Sequence, residues 1–123
     1  MDYNNDFKHD LEVGQVYEKK LGGIFENSKI EVKADFMAYR TGNVFIEFES
    51  RGKKSGISIS ESDYYAIFIL NKMTIEYCIM LSTKNLKKIA RKYFKKGKIV
   101  KGGDLNTSKG VLIPLKKIVT KGL

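Results

Sequence analysis

Three carboxylates in the middle of the chain, Asp35, Glu47 and Glu49, have the residue type and spacing of a metal site. They lie in segments 29–37 and 44–49, which are rich in strand formers and are separated by a glycine-containing turn. Side chains alternate between the faces of a strand, so we expect Glu47 and Glu49 to share one face. If the segments form a hairpin, Asp35 lies opposite Glu47, with their Cβ atoms about 5 Å apart. Because clustered carboxylates repel one another without a cation, this spacing predicts a bound divalent metal, Mg²⁺ or Mn²⁺.

The two glutamates also fit a simpler structure. An isoleucine and a phenylalanine alternate with Glu47 and Glu49, which is typical of an amphipathic strand with a solvated outer face. Two further residues, Asp35 and Lys33, are expected on one face of the neighbouring strand. Together with the basic character of the chain, they favour the metal site over the solvated face.

The net charge of +9 is placed unevenly along the chain. Thirteen of the fourteen acidic residues precede Lys84, whereas thirteen lysines and arginines lie from Lys84 to Lys121. An excess of this size indicates a polyanionic partner, for which DNA is the first candidate. Arginine occurs only at positions 40, 51 and 91, so we expect the phosphate backbone to be contacted more than base edges. Lysine enrichment from an AT-rich genome is the alternative explanation.

Length and composition limit the class of protein. With 123 residues, of which 42% are hydrophobic, the chain is expected to form a single domain, 1–123, with a frayed segment at 1–9. The single cysteine, Cys78, excludes an internal disulfide bond and a multi-cysteine zinc site. The acidic start of the chain is unlike a signal peptide, and no apolar run approaches about 18 residues. We therefore expect a soluble, cytoplasmic protein with no membrane partner.

Periodicity and turn residues predict the elements that must position the three acids. In chain order they are helix 10–21 with Asp10 as N-cap, hairpin 29–37/44–49, a helical turn at 60–63, strands 65–70 and 74–81, helix 83–96 capped by Ser82 or Thr83, and strand 111–115. The two near-continuous apolar runs indicate central strands, whereas Pro114 places the last strand at an edge or at its own end. The expected fold class is α/β (α+β), with a central mixed sheet of four to five strands flanked by helices.

The hairpin resembles the core of the PD-(D/E)XK nuclease superfamily. In that family an Asp ends one strand, a D/E-X-K tripeptide follows on the next, and a preceding helix often adds a Glu. The matching residues here are Asp35, the tripeptide Glu47-Phe48-Glu49, and Glu18. Segments 41–57, 62–65, 102–108 and 112–115 look like small phage-type enzymes of this class. The resemblance implies a restriction-endonuclease-like core and an endonuclease activity, with Holliday-junction resolvases as one form of it.

The tripeptide departs from the family motif because Glu49 stands where the lysine is expected. Some restriction enzymes of the superfamily also carry Glu there. Alternatively, Lys33 could supply the ammonium group from the neighbouring strand. A third alignment of the motif, on Glu31-Val32-Lys33, is disfavoured because no acid lies on a suitable preceding strand and Glu31 has no expected Asp partner.

The resemblance implies roles for these residues. Asp35 and Glu47 would hold one or two Mg²⁺ ions, which polarise the scissile phosphate and lower the pKa of a bound water. Glu49 would be a further ligand or the base that orients this water, Lys33 would stabilise negative charge, and Glu18 would complete a second metal site. The expected nucleic-acid contacts are Arg51, Lys53, Lys54 and Ser55 beside the site, and Lys87, Lys88 and Arg91 on the second helix.

Two functions from different classes follow from these patterns. The first is a Mg²⁺-dependent DNA endonuclease, and its resolvase form would be a homodimer because two strands are cut symmetrically. The second is a non-catalytic nucleic-acid-binding protein or a phage inhibitor on a degenerate nuclease fold. A structural subunit would need an exposed apolar patch, which the sequence does not obviously contain.

Overall fold

The computed structural model describes the backbone of residues 3–121 and the side chains of residues 7–103 and 105–119. The helices are α1 (Tyr3–Asn27), α2 (Ala38–Thr41), α3 (Thr83–Lys95) and α4 (Leu115–Lys121). The strands are β1 (Ile30–Asp35), β2 (Asn43–Ser50), β3 (Lys53–Lys54), β4 (Tyr64–Asn71), β5 (Thr74–Ser82), β6 (Ile99–Gly102) and β7 (Ser108–Pro114). Short 3₁₀ turns lie at Gly56–Ser58 and Asp104–Asn106.

The strands form two sheets rather than one. The first sheet has the order β1-β4-β5, with β1 parallel to β4 and β4 antiparallel to β5. The second sheet has the order β3-β2-β7-β6 and is antiparallel throughout. The expected mixed α/β class is confirmed, whereas the expectation of one central sheet of four to five strands is wrong.

The predicted hairpin of the first two strands is also wrong. β1 pairs with β4, and β2 pairs with β3 and β7, so the two strands belong to different sheets. The short helix α2 separates them, and it ends where the N–H of Gly42, at φ +77°, donates to the carbonyl of Ala38. This left-handed residue redirects the chain out of the first sheet and into the second.

The hydrophobic core lies between the two sheets. The central strand β4 contributes Tyr65, Ile67 and Ile69, each almost fully buried. They share one cluster with side chains of β2, β7, α3 and α4: Val44, Ile46, Val111, Ile113, Leu86, Ile89 and Ile118. Every second residue of β4 therefore faces this core, which fixes the register of the first sheet.

Local patterns predicted some elements well. The strands expected at 65–70 and 74–81 form β4 and β5, and the helix expected from residue 83 forms α3. Only β4 is central, however; β5 lies at the edge of the first sheet and is largely exposed, so the expectation of two central strands is wrong for β5. Ser82 caps α3, since its Oγ accepts the Asn85 N–H at 3.1 Å. Glycine follows the end of this helix as expected, with Gly97 at φ +74°.

Other local predictions are corrected by the structure. Helix α1 begins at Tyr3, so Asp10 is inside it rather than at its N-cap. The 60–63 segment is not helical; Asp63 instead accepts the Lys29 N–H at 2.9 Å. β7 is not an edge strand but lies between β2 and β6, with Pro114 as its last residue. No helix in the described part of the chain has the length and apolar composition needed to cross a membrane.

Candidate functional site

Asp35 joins the end of β1 to the elements that follow it. Its Oδ1 accepts the backbone N–H groups of Met37 and Ala38, at 2.9 and 2.8 Å, and its Oδ2 accepts that of Phe45, at 3.1 Å. The carboxylate therefore stabilises the first turn of α2 and the start of β2 at the same time. It also lines a cavity of about 730 Å³, so one side chain connects the fold to the candidate site.

Glu47 reaches the same cavity from β2, in the other sheet. The Ser55 hydroxyl donates to its Oε2 at 2.9 Å, which orients the carboxylate. Gly56 adopts φ +53°, and a Cβ at this position would overlap the Glu47 carbonyl. The Ser55-Gly56 turn thus packs directly against Glu47, which only a residue without a side chain allows.

The structure brings Lys33, Asp35 and Glu47 together around one cavity of about 730 Å³. A neighbouring cavity of about 380 Å³ is lined by Glu31, Lys33 and Glu47. Lys33 and Glu47 therefore lie where the two cavities meet. We call the combined opening, defined by Glu31, Lys33, Asp35 and Glu47, the acidic cleft.

Glu31 is a cleft residue that the sequence interpretation considered and disfavoured. It pairs with Tyr65 in the parallel β1–β4 register, and Lys33 and Asp35 pair with Ile67 and Ile69. Residues 31, 33 and 35 consequently share the face of the first sheet that turns toward the core. Alternation along β1 placed Glu31 on the same face as Lys33 and Asp35. The partner strand that we expected was wrong, so no acidic neighbour was predicted for Glu31.

Tyr65 adds a buried hydroxyl beside the cleft. Only 1% of its surface is exposed, and its Oη makes no hydrogen bond within the described part of the chain. Burial raises the pKa of Tyr65 above its usual 10.0; the Ser60 side chain, which lies near Oη without the geometry of a hydrogen bond, partly offsets this rise, and the charges of Glu31 and Glu47 add to it. The hydroxyl is therefore an unused donor within the electrostatic influence of both carboxylates.

Glu49 does not lie with Glu47, contrary to the prediction. A bulge in the β2–β7 pairing places Glu47 opposite Gly110 and Glu49 opposite Lys109, two adjacent residues of β7. Adjacent strand residues point to opposite faces, so the bulge turns Glu49 away from the cleft. There its Oε2 lies 3.5 Å from the Lys109 Nζ.

Glu18 is also remote from the cleft. It lies on the exposed part of α1 and lines none of the cavities around Asp35. Among the described residues, no three Asp, Glu, His or Cys side chains are close enough to hold one metal ion. The predicted cluster of Asp35, Glu47 and Glu49, completed by Glu18, is therefore not formed.

Two carboxylates of the cleft have the donor chemistry of magnesium ligands. Asp35 Oδ2 accepts one hydrogen bond and Glu47 Oε1 accepts none within the described residues, so both keep free lone pairs. Magnesium in proteins is commonly held by one or two carboxylates, with water and substrate phosphate completing its shell. The donor set thus suits Mg²⁺ or Mn²⁺ with few protein ligands.

The four predicted nucleic-acid contacts at positions 51 and 53–55 differ in what they contact in the structure. Arg51, Lys53 and Lys54 are exposed around a tight turn, with Arg51 at φ +52° and Lys53 and Lys54 forming the short strand β3. Ser55, by contrast, is engaged with Glu47. Three of the four predicted contacts of this loop are therefore free to reach a phosphate, while the fourth orients a carboxylate.

The most basic surface is the outer side of α3. From residue 83 to residue 96 the chain has seven cations and no acid: Lys84, Lys87, Lys88, Arg91, Lys92, Lys95 and Lys96. Lys87 donates to the Ser60 carbonyl at 3.1 Å, and none of the seven forms an ion pair with any residue that the structure describes. We call this set the α3 basic face.

An apolar groove of about 510 Å³ borders the α3 basic face. Phe48 and Phe94 form its floor in an edge-to-face pair, with ring centroids 5.2 Å apart. Lys87, Arg91 and Lys95 line the same groove. Aromatic rings beside cations suit an exposed base and its phosphates, since a base can contact a ring while the cations contact the backbone.

Comparison with known proteins gives no relative. The chain matches no family model, no curated protein and no solved structure at a significant level. The site is therefore interpreted from its own geometry.

Proposed function

We propose that this protein is a metal-dependent nuclease that hydrolyses phosphodiester bonds of DNA at the acidic cleft. The observation that carries the proposal is the convergence of Lys33, Asp35 and Glu47 on one cavity from two different sheets. A cation beside two carboxylates is the arrangement expected where a phosphate must be bound and a water activated. The α3 basic face supplies the charge that such a substrate needs.

Each cleft residue has a distinct part in this proposal. Asp35 and Glu47 would hold a Mg²⁺ or Mn²⁺ ion, which would polarise the scissile phosphate and lower the pKa of a bound water. Asp35 is kept in place by three backbone N–H groups and Glu47 by the Ser55 hydroxyl. Lys33 contributes positive charge where negative charge develops on the phosphate.

The position of Lys33 bears on the missing motif lysine. Of the two alternatives that the sequence left open, Glu49 lies on the far face of β2, whereas Lys33 lines the cavity with Asp35 and Glu47. We therefore assign the ammonium role to Lys33. In this form the carboxylates and the ammonium come from β1 and β2 without forming one continuous tripeptide.

The substrate is proposed to be held by its backbone rather than by its bases. Six of the seven cations of the α3 basic face are lysines, and a lysine contacts phosphate as a point charge. A preference for four-way junctions, as in resolvases, is the structure-specific form of the proposal and follows from the sequence resemblance. A junction-specific enzyme of this kind would be a homodimer, because it cuts two DNA strands symmetrically.

Cleavage of labelled linear duplex, single-stranded and four-way-junction DNA tests the proposal. The reactions contain Mg²⁺, Mn²⁺ or EDTA, and the proteins are the wild type, Lys33→Met, Glu47→Gln and the matched control Glu49→Gln. We expect metal-dependent cutting that Lys33→Met and Glu47→Gln lose by about 100-fold or more, while Glu49→Gln stays near the wild type. Equal activity of Glu47→Gln and Glu49→Gln would remove the acidic cleft from the mechanism.

A second candidate is a non-catalytic nucleic-acid-binding protein. It is favoured by one observation, the absence of any ion pair between the α3 basic face and the rest of the described chain, which leaves these charges available to a polyanion. This candidate predicts salt-sensitive binding to all three DNAs without cutting in any metal. It also predicts equal binding by the wild type and Glu47→Gln.

A further inference from the structure

Helix α1 has an apolar side that no residue in the described part of its own chain covers. All side chains from Phe7 to Leu21 are exposed, although the helix is 25 residues long. At 100° per residue, Phe7, Leu11, Tyr17, Leu21 and Phe25 fall within about a third of the circumference. These five residues form the α1 stripe. An isolated helix of this kind is stabilised mainly by packing such a face against another surface.

The first sheet has an uncovered apolar face as well. Its core side carries the buried odd-numbered residues of β4, so the even-numbered residues and their partners in β1 and β5 form the outer face. That face consists of Val32 and Ala34 on β1, Ala66 and Phe68 on β4, and Cys78 and Met80 on β5. Val32, Ala34 and Cys78 are exposed, Phe68 and Met80 are half-buried, and Ala66 is buried. Helix α1 makes no extensive contact with these strands within the described residues. We call them the outer sheet face.

The two surfaces have matching lengths. The α1 stripe runs over 18 helical steps from Phe7 to Phe25, or about 27 Å. The eight residues of β4, the central strand of the outer sheet face, extend about 26 Å. A helix laid along this strand would therefore bury the stripe from end to end.

The connection between α1 and β1 is short and hydrogen-bonded. Only Ser28 and Lys29 join the two elements. The Ser28 N–H donates to the Ile24 carbonyl at 3.0 Å, and the Lys29 N–H donates to the Asp63 carboxylate at 2.9 Å. The Lys29 carbonyl in turn accepts the Asp63 N–H at 2.8 Å. These bonds hold the segment through which α1 enters β1.

Charge also favours contact between α1 and the rest of the protein. Residues 1–27 contain six acids and three lysines, whereas residues 28–123 contain eight acids and twenty lysines and arginines. The helical segment is therefore net negative and the remainder strongly positive. Opposite net charges of this size attract the helix of one copy to the body of another and speed their association.

We infer that the protein forms a two-fold dimer in which α1 of each copy lies across the outer sheet face of the other. In this dimer the same contact occurs twice. Each time, the α1 stripe of one copy covers the outer sheet face of the other. It needs neither the acidic cleft nor a nucleic acid, so it goes beyond the proposed nuclease. The exposed apolar patch that the sequence did not reveal is thus the contact between two copies.

Molar mass in solution is the first test, measured by light scattering over a range of concentrations. The wild type should have twice the 14.0 kDa mass of the chain. Leu11→Lys should shift the protein to the monomer mass, because it places a charge in the α1 stripe. Val16→Lys is the matched control, since Val16 is equally exposed on α1 but lies about 140° around the helix from Leu11. Monomeric wild type at every concentration, or equal effects of the two variants, would overturn the inference.

Cross-linking identifies which surfaces meet. Cys78, the only cysteine, lies on the outer sheet face and is exposed. A protein with Tyr17→Cys and Cys78→Ser is mixed with wild type, allowed to exchange subunits, and treated with a short bis-maleimide. We expect a covalent heterodimer of the two chains. Links only between two copies of the double variant would indicate a helix–helix pair and overturn the exchange.

A second cross-linking experiment tests whether α1 instead covers the outer sheet face of its own chain. In the Tyr17→Cys variant that retains Cys78, the reciprocal exchange links two chains. If the reagent instead joins both thiols of one chain, the product keeps the monomer mass. That result would mean that α1 covers its own sheet, and it would also overturn the dimer.

Discussion

Glu47 and Glu49 are two residues apart on β2, yet they lie opposite Gly110 and Lys109 on β7 and therefore on opposite faces of the sheet. The bulge between them turns a pair of acids into one cleft residue and one partner of a surface lysine. Phe48, the residue between them, packs on the core and on Phe94. The bulge thus separates the acidic cleft from the groove beside α3 while keeping both on one strand.

Gly56 should be more sensitive to substitution than other glycines with positive φ. Its φ is +53°, and an added Cβ would overlap the Glu47 carbonyl. We expect Gly56→Ala to lower the free energy of unfolding by about 2 kcal/mol or more. Gly97→Ala is the control, because Gly97 has φ +74° but open space around it, and should cost about 1 kcal/mol. Urea unfolding of both variants measures the difference, and equal losses would mean that the turn does not press on Glu47.

Asp35 should matter to stability as well as to the cleft. Asp35→Ala removes the acceptor of three backbone N–H groups and should cost about 2–3 kcal/mol of unfolding free energy. Asp35→Asn keeps one oxygen for Met37 and Ala38 but presents an amide N–H₂ to the Phe45 N–H, so it should lose less. Thermal unfolding by circular dichroism compares them with Glu49→Gln, a surface control. If Asp35→Ala unfolds like that control, the carboxylate does not hold the chain between the sheets.

Tyr65 should govern part of the stability at alkaline pH. Burial raises its pKa above 10.0, so in the folded state it stays protonated when the unfolded chain ionises. Its stabilising contribution is therefore complete below pH 10 and is lost as the pH rises toward the folded-state pKa. Tyr65→Phe should flatten this loss, and at pH 7 it should be neutral or stabilising because the hydroxyl has no hydrogen-bond partner among the described residues. Urea unfolding at several pH values tests both points, and a clear loss at pH 7 would show that the hydroxyl has a partner.

The elements that could be predicted are those whose signals are local. α3 has its cap, its apolar spacing and its terminal glycine within one stretch, and β4 and β5 are joined by a two-residue turn. The candidate site depended instead on pairing between distant segments. Lys33, Asp35 and Glu47 line one cavity, but through a β1–β4 and a β2–β7 pairing that alternation cannot specify. The position of Glu49 could not be predicted, because the bulge shifts the register of β2. A one-residue shift moves every later side chain to the opposite face of the strand.

The α3 basic face should set the salt dependence of DNA binding. Each lysine or arginine that neutralises a phosphate adds about 0.9 to the slope of log affinity against log salt on duplex DNA. The double variant Lys88→Gln/Arg91→Gln should therefore lower the slope by about 2 if both residues contact phosphate. Lys72→Gln is the control, since Lys72 is exposed in the β4–β5 turn, outside that face. Fluorescence anisotropy of a labelled duplex at increasing NaCl gives the slopes. An unchanged slope in the double variant would place the nucleic acid elsewhere, with the Arg51 loop as the next surface to alter.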